Sequence, residues 1–279
     1  MTITPADIRA ALALPPMNAP ARRLPKDVLA QHGAANSADR KLIDSMIERL
    51  DWWATLSPVT VGIAAGVDEE RPVPAIQLLA MTARIEPTQR LLTLIHRAIP
   101  VPIILATALP GNAGTRLSLA LLRRAERIAD QMVVERLVVA PDLVDAQDAA
   151  SAAFLASLPL PGLPQTGLGA AYGALVERAE ALAIAGIVNA PFQLAPDAAT
   201  AEARRETLAR YRATETGWLA ARAAARREKR LAQQVELGNQ ARELKDRLQA
   251  IAGELAETPI ARPKFVKKDV RLGVHGDEV

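Results

Sequence analysis

The stretch Thr88-Gln89-Arg90-Leu91-Leu92-Thr93-Leu94-Ile95-His96-Arg97-Ala98-Ile99-Pro100-Val101-Pro102-Ile103-Ile104-Leu105-Ala106-Thr107-Ala108-Leu109 decides the fold class. Pro87 suits the first turn of a helix, and Leu91, Leu92, Leu94 and Ile95 recur at helical spacing behind it, which predicts a helix over Thr88 to Ala98. Ile99 to Leu109 is an apolar run bounded by prolines and reads as a buried strand. A helix running straight into such a strand places the chain in the α/β (α+β) class, with a mixed or antiparallel sheet and flanking helices.

Reading outward toward the N-terminus, Asn36 and Ser37 are N-cap residues for a helix whose apolar face is Leu42, Ile43, Met46, Ile47 and Leu50, and which is expected to end near Trp53. Val59 to Ala65 and Val73 to Ala83 look like strands on either side of an acidic turn from Gly66 to Arg71. Residues 1–35 carry Pro5, Pro15, Pro16, Pro20 and Pro25 and read as a Pro-rich arm. Ala6 to Leu14 supplies at most two helical turns, and the rest is extended because residues before proline avoid the helical region. Toward the C-terminus, Gly111-Asn112-Ala113-Gly114 is a turn. Arg116 to Arg124 and Gln131 to Ala140 form an antiparallel pair, with β-branched residues clustered at Val133-Val134 and Val138-Val139. Asp142 to Leu158 and Gly169 to Ile187 are expected helices on either side of a Pro159 to Gly167 loop. These elements make up an α/β domain over residues 36–198.

From Ala199 to Ala256 the chain has no proline and carries dense charge, so residues 199–257 form a long helical or coiled-coil segment. Leu237, Ala241, Leu244, Leu248, Ile251 and Leu255 are spaced as a heptad seam. Fewer than three clean heptads do not hold a coiled coil alone, so the seam is expected to pack on its own chain or on a partner. A break or hairpin is expected between Arg222 and Arg230. Residues 258–279 form a basic tail with a β-prone piece at Lys264 to Lys268.

Three blocks give the chain a family likeness: Leu24-Pro25-Lys26; Ile47 through Trp52 to Leu56-Ser57-Pro58-Val59-Thr60, with His96 to Ile104; and Glu228-Lys229-Arg230-Leu231 with Val235-Glu236-Leu237-Gly238-Asn239, continuing into Leu244 and Leu248. Together they make the chain resemble an uncharacterised bacterial family, number 4391 among the domains of unknown function. The resemblance implies an α/β N-terminal domain followed by a coiled-coil-like tail. It further implies an accessory protein beside the DNA methyltransferases and helicases of restriction or phage-defence systems. It supplies no catalytic residues.

Composition narrows the chemistry. The 279 residues include no cysteine, which excludes disulfides, thiolate metal sites and a cysteine nucleophile, and only three histidines, which disfavours a histidine-rich metal site. There are 56 alanines and 3% aromatics, so much of the chain is helical and core volume is scarce. No apolar run reaches the roughly 18 residues that cross a bilayer, and Met1 to Arg9 lacks the order of a secretory signal, so a cytoplasmic protein without membrane contact is expected.

Candidate site motifs each have a plain reading. Gly167, Gly169 and Gly173 miss the dinucleotide spacing by one residue and follow a proline loop instead of a strand, so they mark a helix start. Gly111 to Gly114 lacks the Lys and Ser/Thr of a phosphate loop. His96 suits a helix C-terminus, while His32 and His275 have no partner by spacing. A metal-dependent nuclease would need clustered carboxylates. Glu126, Asp130 and Glu135 flank the hairpin without an E-x-K, and Asp142, Asp145 and Asp148 read as acids lining a helix start.

The strongest polar signal is Arg222, Arg226, Arg227, Lys229 and Arg230, offset by Glu228 alone. On a helix, Arg222, Arg226 and Lys229 or Arg230 share one stripe, able to neutralise phosphates or simply to face solvent. The sequence therefore predicts a non-catalytic accessory or scaffolding subunit of a DNA-processing complex, with no cofactor and no metal. Its partner would be a DNA helicase or methyltransferase subunit encoded nearby, docked through Leu237, Leu244, Leu248, Ile251 and Leu255. DNA would be met at the five cations. The alternatives are a divergent metal-dependent nuclease or nucleotide-binding enzyme using carboxylates near the Glu126 to Glu135 hairpin, and a homodimer without nucleic-acid contact.

Overall fold

The computed structural model describes residues 1–16, 21–126 and 132–257. The expected two helical turns within Ala6 to Leu14 are present as helix α1 (Pro5–Ala11), but the rest of the leader is not all extended: it adds the two-residue strand β1 (Arg22–Arg23) and helix α2 (Lys26–His32). Local chemistry overrides the prolines here. Pro5 occupies the first turn of α1, where its missing N–H is no loss, and Asp7 reaches back to the Thr4 N–H at 2.7 Å in a capping box.

Helix α3 (Ser37–Met46) starts as expected, with the Asn36 side chain accepting from the Asp39 N–H, but it stops at Met46, and strand β2 (Ile47–Leu56) follows without a loop. The expected continuation to Trp53 is therefore a strand. A β-bulge explains the misleading period. The register shifts between Ile47 and Arg49, so Ile47 and Leu50, three apart, bury on the same face of the sheet as if on a helix. Val59 to Ala65 is corrected in the opposite sense. Pro58–Val61 forms the single turn α4, bounded by a Ser57/Thr60 capping box and by Gly62 in the left-handed region, so end signals outweigh the β-branched side chains. The acidic turn is present, closed by paired hydrogen bonds between Gly66 and Val73, and strand β3 (Ile76–Ala83) comes after it.

The deciding stretch forms helix α5 (Gln89–Ala98), capped by Thr88, and strand β4 (Ile103–Ala108). The turn at Gly111 to Gly114 leads into β5 (Thr115–Arg124). Gly114 has φ +108°, and a Cβ there would stand 2.4 Å from the Leu143 carbonyl oxygen, so no other residue fits. Strand β6 (Met132–Val139) pairs antiparallel with β5 as expected. Helix α6 (Ala149–Ser157) is shorter than the expected Asp142 to Leu158, because Asp148 caps it by accepting from the Ser151 N–H. Helix α7 (Leu168–Val188) ends at Asn189 in the left-handed conformation. Helices α8 (Ala198–Arg227) and α9 (Leu231–Glu257) complete the described chain, with the break inside the expected window.

The six strands lie in chain order, β1 to β6. Every neighbouring pair is antiparallel except β3 and β4, which are parallel and joined through α5, so the sheet is mixed. Alternation along the strands feeds two cores. Ile76, Leu78, Ile104, Ala106, Leu117 and Leu119 pack with α1, α6 and α7, and Leu79, Met81, Ile103 and Leu105 pack with α2, α3 and α5. The Tyr172 hydroxyl on α7 ties the end of the β4/β5 ladder. It accepts from the Ala120 N–H at 2.9 Å and donates to the Ile103 carbonyl at 2.9 Å.

Candidate functional site

At roughly 1.5 Å per residue the two C-terminal helices, 30 and 27 residues long, make an antiparallel hairpin on the order of 40–45 Å in length. Its base is fastened to the α/β body. Leu208 of α8 and Leu255 of α9 bury against Ala183 and Ile184 of α7. Beside them Glu180 of α7, only 5% exposed, is ion-paired with Arg136 of β6 and with Arg205 of α8, the latter at 3.4 Å. Two turns on from Arg205, the Arg212 guanidinium donates to the Val139 carbonyl at 3.0 Å.

The heptad seam faces α8 of the same chain. Ala241, Leu248, Ile251 and Leu255 are buried, Leu237 and Leu244 are half-buried, and Leu244 packs by Gly217. The partner surface expected at Leu237, Leu244, Leu248, Ile251 and Leu255 is thus occupied from within. The physical reason is that a seam this short needs a packing face, and the hairpin turn brings one at high effective concentration. Beyond the base the hairpin changes character, with Leu231 73% exposed, Val235 55% exposed, and Leu219 also open to solvent.

The five cations of the sequence cluster come together at the hairpin's end. Arg222, Arg226 and Arg227 lie on the last turns of α8, and Lys229 and Arg230 lie in the turn; all five are exposed. Arg222 stacks on Trp218, its guanidinium carbon 4.7 Å from the ring centroid. Glu228, the acid among them, turns to the backbone and accepts from the N–H groups of Lys229 and Arg230 at 2.8 Å. Among the described residues none of the five is in an ion pair with a carboxylate.

The acids weighed for a nuclease are dispersed. Glu135 is held below the usual carboxylate range, chiefly by its hydrogen bonds from Arg71 at 2.8 Å. Asp142 pairs with Arg116 at 2.6 Å, Asp145 binds the Met1 ammonium at 3.0 Å, and Asp148 is the α6 cap. Only Asp148 belongs to a helix start, so the expected row of three acids along one helix is not formed. Glu126 lies 3.4 Å from Arg123, and Asp130 falls outside the described residues. Among the described residues no group of three or more His, Asp or Glu side chains is placed to hold a metal ion.

His96, on the buried face of α5, has its Nε2 3.0 Å from the Ser118 hydroxyl, and burial pulls its pKa down to about 3. It is thus a neutral core residue and not a cation offsetting the helix end. His32 closes α2, and His275 and the Lys264 to Lys268 piece lie outside the described residues. Gly167 and Gly169 open α7.

A cleft of about 1030 Å³ runs between the hairpin base, β6 and the start of α5. Its two arginines are engaged, Arg116 with Asp142 and Glu86 and Arg212 with the Val139 carbonyl. Sequence reading missed both these pairs and the Glu180 hub. Glu180 lies 44 residues from Arg136 and 25 from Arg205, inside an alanine-rich helix. The signal available was a lone acid on an apolar helix face.

The family described as Domain of unknown function (DUF4391) matches residues 12–248. The chain belongs to that family. No curated protein and no solved structure shows detectable similarity to it. Among the described residues no helix is long and apolar enough to cross a membrane.

Proposed function

We propose that the protein is a non-catalytic accessory subunit of a DNA-processing complex, of the restriction or phage-defence kind that the family likeness implies, and that the outer half of the hairpin is its contact arm. The observation that carries this reading is the contrast along the hairpin. Its base is sealed by buried leucines and by Glu180, while its outer half exposes Leu219, Leu231 and Val235 beside five uncompensated cations. Large apolar side chains left in water next to a charged rim are the composition of a partner contact. The heptad residues keep the arm straight, and the partner meets what lies beyond them.

The test is co-purification. Full-length tagged protein should co-elute with a methyltransferase or helicase encoded beside it. Leu231→Asp with Val235→Asp should abolish that co-elution while leaving helicity and solubility unchanged. Co-elution that survives both substitutions would move the docking surface elsewhere, and a chain that captures neither neighbour would contradict the reading.

A further inference from the structure

We infer that the hairpin end binds the phosphate backbone of duplex DNA. The inference rests on the contact-arm reading above and gives it a ligand.

Charge distribution is the first support. Between Thr216 and Val235 there are five cations and one acid, a net +4, whereas the whole chain carries +3, so all other residues together sum to −1. A second basic run, Arg262 to Arg271 with five cations and one acid, lies outside the described residues; among the described residues the hairpin end is where five cations stand exposed together. Field from such an end steers a polyanion toward it.

Geometry is the second. Arg222 and Arg226 are four residues apart on one side of α8, a rise of about 6 Å. A DNA strand presents one phosphate per roughly 3.4 Å of axis, so successive arginines of the stripe reach separate phosphates. Ala223, Ala224 and Ala225 fill the positions between them, so no bulky side chain holds the helix away from a strand. Trp218 keeps Arg222 in place through its ring. Glu228, the acid at the tip, accepts from the backbone N–H groups of Lys229 and Arg230 and from none of the five cationic side chains, whose donors stay open to a phosphate.

Two other polyanions fit less well. Single strands are gripped by aromatic platforms, and Trp218, the sole aromatic between Thr216 and Glu257, is half-buried with its face under Arg222. An anionic membrane needs a continuous apolar face with aromatic anchors, whereas Leu231 and Val235 form one short step.

The experiment measures anisotropy of a short fluorescent duplex, the same-length single strand, and binding to phosphatidylserine vesicles, using full-length protein at about 50 to 200 mM salt. Duplex should bind at least tenfold tighter than single strand, and log K against log salt should fall with a slope of about −4 to −5, the value for five neutralised phosphates. Arg226→Ala with Arg230→Ala should lower that slope by about 2, with circular dichroism unchanged. Equal or tighter binding to single strand or vesicles, or a slope unmoved by the double substitution, would overturn the inference. Protein that co-elutes with its neighbour yet ignores duplex refutes the ligand alone. Protein that binds duplex but captures no neighbour refutes the accessory-subunit reading alone.

Discussion

Glu180→Gln tests how the arm is fastened. The substitution keeps volume but removes the negative charge shared by Arg136 and Arg205, leaving Arg205 paired with the more exposed Glu202 alone. Removing one partner of a fully buried ion pair costs about 3–5 kcal/mol, because the remaining charge is left desolvated. Here the two arginine side chains are 28% and 32% exposed, so water recovers part of their solvation. The expected loss is therefore about 2–3 kcal/mol, between the buried and the surface limits. Urea denaturation of the full-length protein reads it, and amide exchange should rise along the first three turns of α8 while the strands keep their protection. A triple change of Glu180→Leu, Arg136→Met and Arg205→Met should recover most of the loss, since no buried charge is then stranded and Glu202, 58% exposed, keeps its solvation. A loss under about 0.5 kcal/mol for Glu180→Gln, with α8 exchange unaltered, would refute the idea that this hub holds the hairpin to the sheet.

Acid should destabilise the protein through His96. Its folded pKa of about 3 lies below the usual 6.5, so its neutral form contributes stability above pH 6.5 that is lost as pH falls toward 3. Between pH 6.5 and 4.5 that loss is about 2–3 kcal/mol, measured by urea midpoints, and His96→Gln should flatten the slope. Tyr172→Phe removes the hydroxyl shared by the Ala120 N–H and the Ile103 carbonyl and should cost about 1–3 kcal/mol by the same assay. Gly114→Ala should cost at least about 2 kcal/mol, since positive φ and the Leu143 carbonyl both oppose a side chain; wild-type stability there would show that the turn relaxes freely.

Legibility followed sequence distance. The α5–β4 unit and the β5/β6 pair were readable because their apolar periods are local and their ends carry prolines and glycines. The hairpin break was readable from charge density between two periodic runs. Ile47 and Leu50 misled because a bulge counterfeits helical spacing, and a bulge is fixed only by the opposing strand. Val59 misled because a capping box and Gly62 decide one short turn against propensity. At the site, the five cations were visible as a run, but the use of the heptad seam was not, since periodicity shows that a face is apolar without showing which helix covers it. The Glu180 hub joins three elements and has no local signature.

The most direct test of the contact arm is amide hydrogen exchange of the full-length protein with and without saturating duplex. Protection confined to residues 216–235, with the sheet and the cleft between Arg116 and Arg212 unchanged, is the predicted result. Protection that appears in that cleft or over the α/β body while the hairpin end exchanges as before would contradict it.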